Sequence, residues 1–438
     1  MPNLRVIHDN AIDRATLSSL YTAVNFGVTN LQSQRKSDVW RAVAGTFASV
    51  RAVWAAAEPI QAVALPFCNL SPTATLRVRT TNEIAVTNLL PFSSQFDHVN
   101  WGTRWGGSAT VTANDATYTA PDGTVTVDKV VVSSGNSGVG YAVALTAGLT
   151  YTFSCWVASS GSVSIGFGTS NVAVPSSAST IAASATLQRI SRTFTPGSSG
   201  TYWVGVAAAP QTFYIWGAQL ELGASASSHY PTSGAQATRP TGYIDTWQTY
   251  SYDSGAVLAC PAPAVSLRGF TAAQAASAYA FGGGACARHW IPASQQATGL
   301  AIDITDTNNL VGYIEVSQLV AGLYWEPAIN FDYGASATPV DSTKNARNDA
   351  GDLISDAGTI SRRISLPLSK LAPADRATLW SILRSSGLRY PIFVSMFPGH
   401  TDLALERDHQ VYGKLVQLPA MALPYFNIAS ATVEVESI

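Results

Sequence analysis

The densest group of side chains able to move protons or hold a metal is Asp402, Glu406, Asp408 and His409. Three carboxylates and an imidazole so close in sequence could make an acid–base or cation site. A solvated loop is the competing reading and the expected one. The six histidines are His8, His98, His229, His289, His400 and His409, and none falls in the HExxH spacing of a zinc hydrolase. No GxSxG is present, so the nucleophile elbow of an α/β-hydrolase is missing. Glycoside hydrolysis needs two carboxylates about 5–10 Å apart, and sequence alone does not place pairs such as Asp128 and Glu221. The chain therefore reads as a binding or structural protein, not a catalyst.

Four cysteines, Cys68, Cys155, Cys260 and Cys286, show no CxxC spacing. A zinc or iron–sulfur site needs clustered ligands, so three of them would have to converge in the outer domain. Buried thiols are the expectation, and they suit a reducing cytoplasm. Gly282-Gly283-Gly284 reads as a turn or hinge, because a phosphate loop needs a following lysine and helix.

With 438 residues the chain has room for two to four domains. Charged residues are 12%, against about 25% in an average soluble protein. Either partners cover much of the surface, or the surface is the Ser/Thr-rich exterior of a β protein. A net charge of −2 gives no electrostatic case for nucleic-acid recognition. No run of about 18 apolar residues exists, so no membrane insertion is expected. Met1-Pro2-Asn3-Leu4-Arg5 leads into no apolar secretory core.

The elements are mostly strands. Residues 151–157 alternate large apolar and small polar side chains, apart from Trp156, which shares a face with Thr152 and Ser154. Residues 190–194 and 202–206 alternate too. Turn clusters such as Pro121-Asp122-Gly123 and Pro196-Gly197-Ser198 punctuate them. The stretch 88–223 thus reads as a β-sandwich. Its NLLPFSSQFDHVNW, APDGTVTVDKV, LTAGLTYTFSCWV and YIWGAQLELG resemble the carbohydrate-binding-module-like jelly rolls of phage tail proteins.

The flanks look like one domain interrupted by that sandwich. Before it, strands are expected at 4–8, 46–54, 60–66 and 74–79, with a short helical turn at 15–21. After it, they are expected at 257–258, 269–281, 287–291, 299–305 and 312–324. DVWRA, IQAVALPFCNLSPTATLRVR, ARHWIP, GLAIDITD and GYIEVSQLVAG resemble galactose-binding-like (discoidin-type) jelly rolls. The last segment pairs strands at 362–368, 391–397, 410–418 and 429–436 with a helix over 373–386. Pro373 suits a first helical turn, Asp375 its positive end, and Gly387 its stop. The polar stretch 341–356 reads as a surface loop, with a subunit-interface arm or a calcium loop as alternatives. ISRRISLPLSKLAPADRATLWSILRSSG, YPIFVSMFP and VYGKLVQLPAMALPYFNIASATVEVESI are similar to the structural domain of distal tail proteins of long-tailed phages. Most of the chain resembles the tail structural proteins of transposable, Mu-like siphophages.

The fold class is therefore mainly β. A split galactose-binding-like jelly roll (1–82 plus 241–328) would carry an inserted sandwich (83–240). An antiparallel β domain with one helix (329–438) would follow. The resemblance implies a virion component, assembled in the host cytoplasm, that forms a sixfold or threefold ring at the tail tip. Its partners would be copies of itself, tail-tube and baseplate proteins, and host surface glycans. Sugar rings stack on exposed aromatic faces, and Trp156, Trp203, Trp105 and Trp101 are the candidates; a core or interface place is the competing reading for each. Related modules carry calcium, for which Asp122, Asp128 and Glu221 are candidate ligands; no other cofactor is expected. The alternatives are a glycan-degrading enzyme with an accessory binding module and a lectin-like adhesin.

Overall fold

The computed structural model describes residues 3–43, 45–101, 107–169, 178–244, 250–259, 285–356 and 358–438. Trp105, Cys260, Gly282–Gly284 and the strand expected at 269–281 lie outside them. Contacts divide the chain into two compact units. Met1–Asn82 and Tyr250–Ile438 form the outer unit, and Glu83–Thr249 form the inserted one. Both are built mainly of antiparallel sheets.

Two long strands form the spine of the outer unit. Phe47–Cys68 and Ala285–Thr305 pair antiparallel along nearly their whole length, from Phe47 opposite Thr305 to Cys68 opposite Ala285. Each was expected as two strands with a break between. Ala55, Ala56 and Ala57 are exposed and Pro59 follows, which removes the alternation that marks a strand. The ladder continues through them, with Glu58, Pro59 and Ile60 opposite Ala297, Gln296 and Gln295 and irregular register on both sides. Thr75–Thr81 adds to the other edge of Ala285–Thr305. Trp40, Trp54, Ile60, Leu65, Leu300 and Ile302 are among the residues of the core beneath.

Other expectations in this unit fail as well. The helical turn at 15–21 is instead a 3-10 turn at Ala11–Arg14, capped by the Asn10 side chain, followed by a short strand at Thr16–Ser18. The single strand at 312–324 is two short ones, Glu315–Val316 and Val320–Gly322. Ser317 and Gln318 leave the ladder because their side chains donate to the carbonyls of Lys36 and Arg35.

The second sheet of the outer unit has seven strands. Its main path runs Arg5–Ile7, Ile392–Ser395, Gln410–Leu415, Ile428–Ser437, Ile360–Leu371, Ser336–Asp341. The N-terminal strand thus belongs with the C-terminal segment: Val6 faces Val394, and Val6 and Trp325 exchange backbone hydrogen bonds at 2.9 and 2.8 Å. The helix Pro373–Ser386 spans the residues expected of it. Leu379, Ile382 and Leu383 are buried, while Trp380 is exposed. Asp375 does more than favour the helix start, since its carboxylate accepts from Trp325 Nε1 and the Ala328 N–H. Residues 341–356 form an exposed hairpin, Lys344–Arg347 with Leu353–Asp356, not an irregular loop.

The Asp402–His409 cluster is no solvated loop. Leu403–Asp408 is a short helix that Asp402 caps. Glu406 is fully buried and takes a two-pronged ion pair from Arg288, with Nε donating to Oε1 at 2.7 Å and Nη2 to Oε2. Trp290 Nε1 and the Gly399 N–H donate to the same carboxylate. Asp408 pairs with Arg407 beside it. Breaking a buried pair leaves an uncompensated charge. Glu406→Ala is therefore expected to lower stability by about 3–5 kcal/mol in urea unfolding, whereas Asp408→Ala should cost under about 1 kcal/mol.

Candidate functional site

The inserted unit is a sandwich of two antiparallel sheets. One has the order Ser184–Phe194, Tyr151–Ser159, Gln211–Leu222, Asp128–Val132, Ala109–Thr112. The other has the order Ser179–Ile181, Val163–Gly168, Gly200–Ala208, Ser137–Leu145. Alternation sends Phe153, Cys155, Phe167, Val204, Val206 and Phe213 into the core between them.

The same alternation decides what faces away from the core. On the four-stranded sheet, Trp203 stands between Ala142 and Gly168 in register. Two positions along, Gly205 lies between Gly140 and Gly166; two further, Ala207 lies between Gly138 and Ser164. The glycines are buried and Ala207 is nearly so, while Trp203 is half-buried. The result is a strip of glycine and other small residues with one half-buried indole at its end. Gly138 and Gly205 admit no side chain: a Cβ would lie 2.0 Å from the carbonyl oxygens of Val206 and Val139 respectively. A flat aromatic face beside a strip of small residues suits the apolar face of a ring. The signal was in the sequence, as Gly138-Val139-Gly140 and Gly166-Phe167-Gly168 place glycine at every second position on the two strands that flank Gly200–Ala208.

Trp156 also faces away from the core, on the five-stranded sheet, but it is packed there. It sits opposite Trp216 and Arg189 in register. Its ring lies 5.2 Å from Trp216 and 5.6 Å from His229, both edge-on, with the Arg189 guanidinium 4.7 Å from its centroid. Arg189 also donates to Ser154. Trp216 is buried with Ala120 and Val127 in a small second core. Two-residue alternation missed this cluster because Gly217, at φ 66°, inserts a bulge that puts Trp216 and Gln219 on one face. A Cβ at Gly217 would sit 2.8 Å from the Trp156 ring. Trp156 is therefore structural, and Trp156→Ala should cost about 3 kcal/mol in the unfolding of this unit.

The remaining candidates part company. Trp101 is fully buried, packs at a tilt against Phe96, and donates its Nε1–H to the Phe92 carbonyl at 2.8 Å. No ligand ring can reach it. Asp122 is an exposed turn residue that accepts from Thr124. Asp128 lies opposite Ile215 and Glu221 opposite Thr152. Six residues of strand separate those positions, roughly 20 Å, so the three carboxylates expected as calcium ligands do not converge. Among the described residues no group of three His, Cys, Asp or Glu side chains is placed to hold a metal. Glu221 is buried and accepts from Ser227 and Gln219.

Asp128 is buried, and its two oxygens accept the N–H groups of Phe96 and Asn114 at 2.7 and 2.9 Å. Burial outweighs those bonds and pushes its carboxyl up to about 6 from an ordinary 3.8. Between those values the folded chain binds more protons than the unfolded one, so stability falls as pH rises from 3.8 to about 6. Chemical denaturation across this window should show a decline on the order of 2 kcal/mol from this residue. Asp128→Asn should be less stable throughout, having one acceptor for two N–H groups, and should lack that component of the slope.

No family model and no curated protein matches the chain. Part of it is similar to solved structures. One, described as "CBM4 structure and function", is 16% identical over 27% of this chain and 85% of that one, at a TM-score of 0.20. Another, described as "BiXyn10A CBM1 APO", is 15% identical over 23% of this chain and 74% of that one, at 0.18. A third holds the CBM22-1–GH10 modules of the Clostridium thermocellum endo-1,4-beta-D-xylanase 10B complexed with xylohexaose. It is 14% identical over 32% of this chain and 29% of that one, at 0.21. The sandwich described above rests on its own strand pairing.

Proposed function

We propose that this chain is a structural subunit of a bacteriophage tail tip or baseplate, and that its inserted sandwich binds host surface glycans at the Trp203 face. The observation that carries the glycan reading is the half-buried Trp203 beside a strip of Gly138, Gly140, Gly166 and Gly205. Carbohydrate rings offer C–H faces to an indole, and the small residues beside Trp203 leave room for such a ring to lie against it. A folded Trp203→Ala variant should lose at least about tenfold in affinity on a glycan array, the scale of a central aromatic contact. Unchanged binding by that variant would remove Trp203 from the reading.

The tail-tip part rests on the sequence resemblance of the outer unit's segments. Its exposed apolar surface supports it. Leu423, Tyr425 and Phe426 are exposed near the C-terminal hairpin, as are Leu353 and Ile354 on the hairpin of residues 344–356. Exposed apolar groups gathered on strands and hairpins mark surfaces that neighbours cover. A ring of six or three copies would use them, since closed symmetry satisfies such surfaces without leaving an edge. Light scattering of the purified full-length protein should give a persistent hexamer or trimer; a monomer at every concentration would count against self-assembly.

A further inference from the structure

The outer unit contains a second site, unrelated to the sandwich. A cavity of about 320 Å³ lies against the strands Gln410–Leu415 and Ile360–Leu371. That is the lower end of the range for small-ligand pockets, about 300–1,000 Å³. Phe67, Pro339, Ile360 and Tyr412 give it apolar walls, and Arg362, Gln410 and the Arg407–Asp408 pair are among the polar groups in its lining.

Arg362 and Gln410 are under-satisfied by the protein. Arg362 spends one nitrogen, Nη1, on the carbonyls of Arg407 and Gln410, each at 2.8 Å. Among the described residues no carboxylate lies within ion-pair distance of its guanidinium. The carboxylate acting on it through space, Asp408, is already held by Arg407. Burial accordingly pulls the Arg362 guanidinium below its usual value. Gln410 is 3% exposed, and neither its side-chain oxygen nor its nitrogen has a hydrogen-bond partner among the described residues. Buried polar groups are ordinarily paired, and an unpaired amide is costly. Phe67, in the wall, holds a left-handed backbone at φ 54°. That is a genuine outlier for a bulky residue, of the kind that clusters at ligand clamps.

We propose that this cavity binds an organic carboxylate, with Arg362 taking the acid group, the Gln410 amide a second polar contact, and the Phe67–Tyr412 wall an apolar body. A guanidinium with no ion-pair partner among the described residues, beside an Asp408 already held by Arg407, favours a negative ligand, and its geometry matches a carboxylate. The acid is either a free small molecule or a side chain of a second copy of this chain.

Calorimetric titration of benzoate into the full-length protein tests this, with benzyl alcohol as the neutral control. Saturable binding of benzoate and none of the alcohol is expected. Arg362→Gln should abolish binding, although losing the two carbonyl bonds can also destabilise the fold. Gln410→Leu separates the two effects. Leucine fills similar volume without an unpaired amide, so the melting temperature should hold or rise while benzoate affinity falls about tenfold. Light scattering with and without benzoate identifies the source. A fall in mass when benzoate binds assigns the acid to a second copy, and an unchanged mass assigns it to a free molecule. Absence of saturable benzoate binding to the folded protein, or equal binding of the alcohol, overturns the proposal.

Discussion

A sandwich can sit inside another fold only if the chain leaves and returns at neighbouring points, and this molecule meets that condition in both units. In the outer unit, Thr80 near the end of Thr75–Thr81 is opposite Tyr252 in register, so departure and return occupy one ladder. In the inserted unit, Val86–Asn88 pairs with Ala237–Arg239. The nearly buried Arg239 holds Glu83 at 2.5 Å and also donates to the carbonyls of Ser228 and Ile84. Each core therefore closes without the other's strands. The cost of closing a long loop grows slowly with its length, so the interruption is thermodynamically mild once the ends are pinned.

The low charge content gives the few buried ion pairs unusual weight. The buried Arg288–Glu406 pair joins the long-stranded sheet to the short helix of the C-terminal segment, while the partly exposed Arg5–Glu326 pair holds the N-terminal strand to the chain entering that segment. Such pairs contribute little net stability over an apolar isostere, yet losing one partner is expensive. They fix which segments belong together more than they add energy. Arg362 departs from this pattern, as a guanidinium in a cavity wall with carbonyls for partners and no ion pair among the described residues.

The aromatic residues show how pattern and packing divide the work. Trp156 and Trp203 occupy equivalent positions by alternation, each on the outer side of a strand with core residues as neighbours. Their surroundings differ because their neighbours differ. Across from Trp156 stand Trp216 and Arg189, large enough to enclose it. Across from Trp203 stand Ala142 and Gly168, which leave its face open. Register, not sequence distance, makes one a structural residue and the other a binding candidate.

The sequence by itself determined the mainly β class, the strands with clean alternation, and the helix at Pro373–Ser386, because those depend on local period and on end signals that act within a few residues. It also kept Tyr202, Val204 and Val206 on one side and Trp203 on the other. Only the tertiary structure decided that Phe47–Cys68 is one strand, that Arg5–Ile7 joins the C-terminal sheet, and that Glu406 is buried. Those outcomes depend on partners more than a hundred residues away, to which no local pattern refers. The separation of Asp128 from Glu221 and the bulge at Gly217 belong to the same class. Carboxylates meet or stay apart according to register along a shared strand, and one left-handed glycine shifts that register for every residue beyond it.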